Sequence, residues 1–152
     1  MKLSIPWWLT LIIVIILFTS SLYAGSSHEV NNSEIKSGVL RTPDSRFENL
    51  IDYPFEPNYM IIDGLRVHYL DEGPKDADPI ILFHGEPTWS YLFRKMIPVL
   101  TKSGHRVIVP DMIGFGKSDK FISKYDYSYK HHIDVMKELV IRLDLKEATH
   151  FG

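Results

Sequence analysis

The chain has 152 residues, of which 45% are hydrophobic and 24% charged, and its formal net charge is −2. This composition excludes a wholly disordered chain and predicts a single globular domain, while the charge argues against nucleic acid as a partner. The chain has no cysteine, which excludes disulfides, thiolate zinc sites, iron–sulfur clusters and cysteine nucleophiles.

The N-terminal 24 residues have the features of a leader. Lys2 precedes an uncharged apolar run over 5–18, and the mostly small residues TSSLYA follow it up to Ala24. This order predicts a secretory signal peptide over 1–24. An uncleaved membrane anchor is the alternative, because the apolar segment 5–23 approaches the roughly 20 residues that span a bilayer.

The rest of the chain divides into a polar stretch and a folded part. Residues 25–39 are polar and predict a flexible linker, which leaves 40–152 as the expected folded domain. Under both interpretations of the leader, we expect this domain outside the cytoplasm, as a periplasmic, secreted or membrane-anchored protein.

The first predicted element of the domain is a β-hairpin. Two β-rich runs, 59–62 and 65–70, flank Asp63-Gly64, and this dipeptide is a strong signal for a two-residue hairpin turn. In the second run, Arg66 and His68 alternate with apolar residues, so we expect one face of that strand to contact water.

A strand and a helix are predicted next. The continuous apolar run 80–83 is typical of a strand that is covered on both faces. Residues 90–100 have helical spacing, and Pro98 is expected to kink or restart this helix. Its predicted apolar face consists of Leu92, Met96 and Val99.

A second strand and helix follow. The apolar run 107–109 predicts a buried strand, and residues 111–126 predict a long loop. Ser128 can cap the next helix, and residues 148–151 have the composition of a third buried strand. The predicted apolar face of the helix that Ser128 caps consists of Ile133, Met136, Val140 and Leu143.

This alternation predicts an α/β sheet with right-handed crossovers. In such sheets the chemistry lies in loops just beyond the carboxyl ends of the strands. The sequence offers three such places, after Phe83, after Val109 and after Phe151.

The loop after Phe83 carries the most specific signal. Residues 84–89 read HGEPTW, and a glycine directly after a buried strand lets the backbone turn sharply and leave N–H groups unpaired. Such N–H groups can stabilise a developing negative charge, as an oxyanion hole does.

At this loop the chain resembles haloalkane dehalogenases of the α/β-hydrolase superfamily. The run HGEPTWSYLFRKMIPVL resembles the subgroup with His-Gly-Glu-Pro at this loop, and the segments LRTPDSRF, YPF and VPDMIGFGKSD resemble it as well. The match runs from about Leu40 to Gly152. Related epoxide hydrolases usually have another residue at Glu86 and lack the Thr-Trp pair.

The resemblance implies both a mechanism and roles for residues. An aspartate displaces halide to form an alkyl-enzyme ester, and a histidine held by a carboxylate activates water to hydrolyse it, without a cofactor or a metal. By resemblance, Glu86 supplies an oxyanion-hole N–H, and Glu86 and Trp89 contact the substrate. The implied structural residues of the loops are His84, Gly85, Pro87 and Asp111. We expect the Glu86 carboxylate to be paired away from the halide.

The same resemblance implies that essential groups lie beyond Gly152. The nucleophilic aspartate and a halide-binding tryptophan are expected just after the third strand, followed by the cap domain, the supporting carboxylate and the catalytic histidine. The fold is thus expected to stop at the strand before the nucleophile. We expect the 152-residue polypeptide alone to be inactive and to fold poorly, and the full-length enzyme to be a monomer acting on a halogenated alkane or a similar small molecule.

Two alternatives stay open. An epoxide hydrolase or another α/β-hydrolase is the first. The second is a short, non-catalytic exported protein that binds a partner through its exposed sheet edge.

Two other patterns do not predict sites. Residues 114–118 (GFGKS) lack the first glycine of a phosphate-binding loop, and no GxSxG motif surrounds Ser118, so we expect a tight loop bonded by Asp111 and Ser118. His131 and His132 point about 100° apart on a helix and predict a solvated helix start rather than a metal site.

Overall fold

The computed structural model describes residues 35–152. The predicted leader and residues 25–34 of the predicted linker lie outside this range. The helices and strands, in chain order, are β1 (Val39–Leu40), a 3-10 helix (Asp44–Phe47), β2 (Asn58–Ile62), β3 (Leu65–Glu72), β4 (Pro79–Leu82), a 3-10 helix (Ser90–Phe93), α1 (Ile97–Lys102), β5 (Arg106–Pro110), β6 (Lys120–Phe121), a 3-10 helix (Lys124–Asp126), α2 (Tyr129–Arg142) and β7 (Thr149–Phe151).

Five of the strands form one mixed sheet in the order β2-β3-β5-β4-β7. The β4, β5 and β7 strands are parallel, and the hairpin of β2 and β3 adds antiparallel to β5. The parallel part has the alternating order of strands and helices that the sequence predicts. It places the ends of β4 and β5 side by side, so the loops that follow them are neighbours.

The β2–β3 hairpin confirms the turn signal. Ile62 pairs with Leu65, which leaves only Asp63 and Gly64 in the turn. Both have positive φ, 51° for Asp63 and 71° for Gly64. Left-handed conformation at both central residues is the twist that a two-residue hairpin needs, and Asp-Gly adopts it at low cost.

The sheet has an apolar cluster on each face. One cluster packs against α2 and the other against α1 and the residues before β2. The buried residues of the first are Val39, Ile62, Leu65, Val67, Ile113, Val135, Met136 and Leu139. Those of the second are Tyr53, Leu70, Leu82, Phe93, Ile97, Val107 and Val109.

The expectation of a water-exposed face on β3 is wrong. Arg66 is 5% exposed and His68 is fully buried. The Arg66 guanidinium lies 4.3 Å over the ring of Tyr59 and donates to the Lys117 carbonyl at 3.3 Å, and His68 pairs with Asp111. Alternation alone indicated a wet face, but the loop after β5 and the residues before β2 cover it with polar partners.

The predicted face of the first helix is also wrong. Leu92, Met96 and Val99 are all exposed, whereas Phe93 and Ile97 are buried. The prediction assumed one continuous helix, but a 3-10 turn with three residues per turn precedes α1 and changes the phase. The restart at Pro98 is confirmed, because α1 begins at Ile97 with the proline in its first turn.

The second helix is capped as predicted but is rotated about its axis. The Ser128 hydroxyl accepts a hydrogen bond from the His131 N–H at 3.1 Å, which confirms the cap. Of the predicted face, Met136 is buried, Val140 and Leu143 are half-buried and Ile133 is exposed. Val135 and Leu139 are buried instead.

Near the start of the described residues, the short strand β1 pairs with β6 in an antiparallel ladder. Val39, the last residue of the predicted linker, is buried and pairs with Phe121, and Leu40 pairs with Lys120.

Among residues 35–152, no helix combines the length and apolar character needed to cross a membrane.

Candidate active-site loop

The loop over 84–89 leaves the carboxyl end of β4 and folds back on itself. The Gly85 carbonyl accepts hydrogen bonds from the Thr88 N–H at 3.0 Å and from the Thr88 hydroxyl at 2.7 Å. The peptide bond between Glu86 and Pro87 is cis. Because Thr88 closes the turn, the backbone between Gly85 and Pro87 faces outward.

Glu86 lies at the outer side of this turn and is exposed. Within residues 35–152 its N–H donates to no acceptor, and its carboxylate has no hydrogen-bond or ion-pair partner. The expected pairing of the carboxylate is therefore not found in this part of the chain. The free N–H is a donor that can stabilise an oxyanion.

At Gly85 the backbone does not have the left-handed conformation that favours glycine. A Cβ placed on Gly85 would meet no atom of the described chain within 4 Å. The space next to the Gly85 Cα is therefore open.

Two residues fix the ends of the loop to the turn after β5. At the start, His84 is buried, and its Nε2 accepts a hydrogen bond from the Met112 N–H at 3.0 Å. At the end, the Ser90 N–H donates to Asp111 Oδ1 at 2.7 Å. Glu86 is thus carried on a turn whose two ends are held by neighbouring residues, Asp111 and Met112.

Asp111 is fully buried and joins three parts of the chain. Besides Ser90, its carboxylate binds His68 Nδ1 at 2.7 Å and the Lys117 N–H at 2.8 Å. Burial by itself would raise the pKa of Asp111, but the hydrogen bond and charge of His68 and the two N–H donors outweigh it and lower that pKa. Asp111 is therefore a carboxylate that accepts three hydrogen bonds.

Ser118 has the structural role that its sequence context predicts. Its hydroxyl donates to the Asp111 carbonyl at 2.6 Å and accepts the His68 N–H at 2.8 Å. Gly116 has φ +47°, and a Cβ on it would overlap the Asp111 carboxylate. The GFGKS loop thus packs around Asp111, which confirms the interpretation as a tight loop.

Trp89 packs against the residues that precede β2. We call residues 40–56 the N-terminal segment. The Trp89 ring lies 5.3 Å from the ring of Phe47, 5.4 Å from Tyr53 and 5.6 Å from Tyr91, where the two rings are stacked. Trp89 is half-buried in this aromatic cluster, which joins the loop to the N-terminal segment.

The N-terminal segment is also held by polar contacts. Arg41 binds Asp119 with two hydrogen bonds of 2.8 and 2.9 Å, and Asp119 also accepts the Arg66 N–H. The Tyr53 hydroxyl and Ser90 Oγ lie 2.7 Å apart and are buried. Sequence reasoning missed these contacts because the partners in each pair are far apart in the chain.

The two adjacent histidines at the start of α2 are half-buried rather than solvated. His131 packs on Phe121 at 5.4 Å, and His132 stacks on Tyr127 at 6.2 Å. Burial lowers the pKa of His132, and the charges of His131 and His84 lower it further. Across residues 35–152, no group of three or more His, Cys, Asp and Glu could hold a metal ion.

Comparison with known proteins identifies the fold. A family model described as alpha/beta hydrolase fold matches residues 78–152. The chain is 58% identical over 118 residues to a haloalkane dehalogenase of Psychrobacter cryohalolentis and 56% identical to one of Mycolicibacterium paratuberculosis. Each alignment covers 74% of this chain and 39% of the relative, so the chain spans about two-fifths of the length of these relatives.

Solved structures agree with the sequence relatives. The tetrameric haloalkane dehalogenase DpaA of Paraglaciecola agarilytica NO2 matches with a TM-score of 0.71 and 48% identity, over 74% of this chain and 39% of that one. A thioesterase domain from the curacin biosynthetic pathway shares the fold with a TM-score of 0.60 at 18% identity, over 63% of this chain and 34% of that one. The resemblance to haloalkane dehalogenases is therefore confirmed, and the chain has an α/β-hydrolase fold.

Proposed function

We propose that this chain contributes the N-terminal portion of a haloalkane dehalogenase-like hydrolase, in which the Glu86 N–H is one donor of the oxyanion hole. The observation that carries this proposal is the free N–H of the exposed Glu86, on a turn fixed at both ends. The similarity to haloalkane dehalogenases supports the choice of chemistry.

The proposed reaction has two steps. In the first, an aspartate carboxylate oxygen bonds to the carbon that carries the halogen, and the carbon–halogen bond breaks to release halide. In the second, water adds to the carbonyl carbon of the resulting ester while a histidine takes its proton, and the alcohol leaves. We expect the aspartate, the histidine and its supporting carboxylate in sequence that follows Gly152.

The residues described here act in the second step. When water adds, the ester carbonyl oxygen becomes an oxyanion, and the Glu86 N–H donates to it. His84 and Asp111 hold the turn so that this donor is oriented before the charge develops. We propose Glu86 and Trp89 as substrate contacts because each leaves part of its surface uncovered.

The test begins with the source gene. Sequencing through the Gly152 codon should reveal an open frame with an Asp-Trp pair, a cap region and a late histidine. The complete product should then release halide from brominated or chlorinated alkanes. A stop codon directly after Gly152, or a product that opens epoxides and releases no halide, would overturn the assignment.

We further propose that the domain is exported and either released or held by residues 5–23. The charge and hydropathy order of the leader supports this proposal. Protease added to intact spheroplasts should digest the domain, and full protection would contradict export.

A further inference from the structure

The N-terminal segment reaches the end of the candidate active-site loop through one buried hydrogen bond. The Tyr53 hydroxyl lies 2.7 Å from Ser90 Oγ, and the Ser90 N–H donates to Asp111. Ser90 is thus held from two sides, four positions after Glu86. We propose that Tyr53 is a positioning residue for the oxyanion donor, an inference that rests on the proposed function.

Tyr53 is itself held firmly enough for this role. Its side chain is buried, and its ring contacts Phe55 at 5.2 Å edge to face, Trp89 at 5.4 Å and Tyr91 at 5.5 Å. Burial raises the pKa of Tyr53, so its hydroxyl keeps its proton at neutral pH. A ring packed on three aromatic neighbours presents its hydroxyl from a fixed position.

The segment that carries Tyr53 is fixed at a second point. Arg41 binds the buried Asp119 carboxylate through two parallel hydrogen bonds, the geometry that holds a guanidinium most rigidly. Asp119 in turn accepts the Arg66 N–H of β3. The segment between Arg41 and Tyr53 is therefore attached to the sheet at one end and to the loop at the other.

The loop transmits this contact to Glu86 because the hydrogen bonds between Thr88 and Gly85 make the turn move as a unit. The first residue, His84, is fixed by Met112, and the last is fixed through Ser90. Removing the Tyr53 hydroxyl leaves Ser90 Oγ buried without a partner, and Ser90 then shifts to satisfy it. A shift at one end of a six-residue turn changes the direction of the Glu86 N–H.

The two proposed reaction steps differ in their need for this N–H. Halide displacement neutralises charge on the attacking carboxylate, whereas ester hydrolysis creates an oxyanion at the carbonyl. Misplacement of a donor by a fraction of an ångström costs roughly tenfold in the step that uses it. We therefore expect Tyr53→Phe to slow ester hydrolysis about tenfold and to leave the halide-release burst unchanged.

The experiment compares two tyrosines of the same interface in the complete protein. Tyr91→Phe is the matched control, since its hydroxyl donates to the Ile51 carbonyl at 2.9 Å and does not bond to Ser90. Rapid-quench measurement of halide gives the burst, and steady-state turnover gives hydrolysis. Tyr53→Phe should keep the burst and lose turnover, and Tyr91→Phe should keep both. Equal turnover in the two variants would overturn the inference.

Ser90→Ala tests the same hydrogen bond from its other end. It should reproduce the turnover loss of Tyr53→Phe, and the double variant should be no slower than either single one, because both remove one interaction. Losses that multiply in the double variant would show independent effects and contradict the proposal.

A second readout separates this inference from the proposed function. If the wild-type protein releases no halide, the proposed chemistry fails, but the positioning can still be measured by amide hydrogen exchange of the peptide over 84–90. That peptide should exchange faster in Tyr53→Phe than in Tyr91→Phe. Identical exchange in the two variants would contradict the positioning role whether or not the protein has activity.

Discussion

Glu86 presents a charge and a donor at the same place, and the two can be separated by substitution. Its carboxylate is exposed and has no partner in the described part of the chain, while the proposed role belongs to its backbone N–H. An unpaired negative charge near a departing halide opposes halide binding.

We expect Glu86→Gln to keep ester hydrolysis, since the backbone donor is unchanged, and to strengthen product inhibition by bromide or chloride. Steady-state kinetics of the complete protein at several halide concentrations measures both. Loss of turnover with an intact halide burst would assign a chemical role to the carboxylate and contradict a role of the backbone alone.

Asp111 is the residue whose replacement should cost the most stability in this region. It is fully buried and accepts hydrogen bonds from His68, Ser90 and Lys117. We expect Asp111→Asn to lower the free energy of unfolding by about 3 kcal/mol, because an amide nitrogen would face N–H donors. The control is Asp134→Asn, which removes an exposed ion pair with Lys130 and should cost about 0.5 kcal/mol or less. Urea unfolding of both variants gives the comparison, and equal losses would contradict this role for Asp111.

The same carboxylate should make stability depend on acidity. Its pKa in the folded protein is below the ordinary value of 3.8. The stabilisation of the folded protein by the ionised Asp111 carboxylate is therefore present above about pH 4, and it is lost as the pH falls through the lower, folded-state pKa. Unfolding free energies measured from pH 6 downward should decline below pH 4 in the wild type and more weakly in Asp111→Asn. Parallel curves would show that other groups cause the decline.

At the scale of the element, the loop after β5 is shaped by the side chain that it surrounds. Gly116 and Gly104 both have positive φ, so alanine strains the backbone at either position. Only at Gly116 would the new Cβ overlap a fixed group, the Asp111 carboxylate, whereas the space at Gly104 is open.

We expect Gly116→Ala to destabilise the protein by about 2 kcal/mol more than Gly104→Ala, because steric overlap adds to the shared strain. Thermal or urea unfolding of the pair measures the difference. Similar losses would mean that the loop can move away from Asp111 without cost.

Elements with local signals were predictable from the sequence. The Asp63-Gly64 turn and the Ser128 cap each depend on neighbouring residues, and both are found. The buried faces of the helices were not predictable, since they depend on where a helix starts and on what packs against it. Arg66 and His68 show the same limit, because Lys117 and Asp111, which bind them by hydrogen bonds, lie more than 40 positions further along the chain.

In the candidate site, too, the local motif was predictable from the sequence and the contacts between distant residues were not. The HGEPTW motif located the loop, and the resemblance proposed its roles. The contacts that hold the end of the loop, from Tyr53 to Ser90 and from Asp111 to Ser90, join residues distant in the sequence, and nothing in their local pattern marks them.

At the scale of the whole molecule, the surface of residues 35–152 carries several large apolar side chains. Phe151 lies on β7, the outermost strand at one side of the sheet, and is 56% exposed. An uncovered apolar strand at a sheet edge favours pairing with another chain.

We expect a polypeptide that is produced to end at Gly152 to self-associate, and Phe151→Glu to reduce this. Ile51→Glu is the control, since Ile51 is 76% exposed but lies in a loop away from any strand. Sedimentation of the three proteins should show a lower mass for Phe151→Glu alone. An equal effect of both substitutions would indicate general hydrophobic association instead of edge pairing.

The bond between Arg41 and Asp119 has a consequence for gene shuffling with relatives. The two residues are 78 positions apart, yet the buried Asp119 is balanced by this arginine. A crossover between the two codons that brings in a parent lacking either residue leaves a buried carboxylate or an arginine without its partner. Viable chimeras should therefore inherit both positions from one parent, or from parents that share the pair. Co-inheritance of the two codons among functional recombinants would record this contact without any structure being solved.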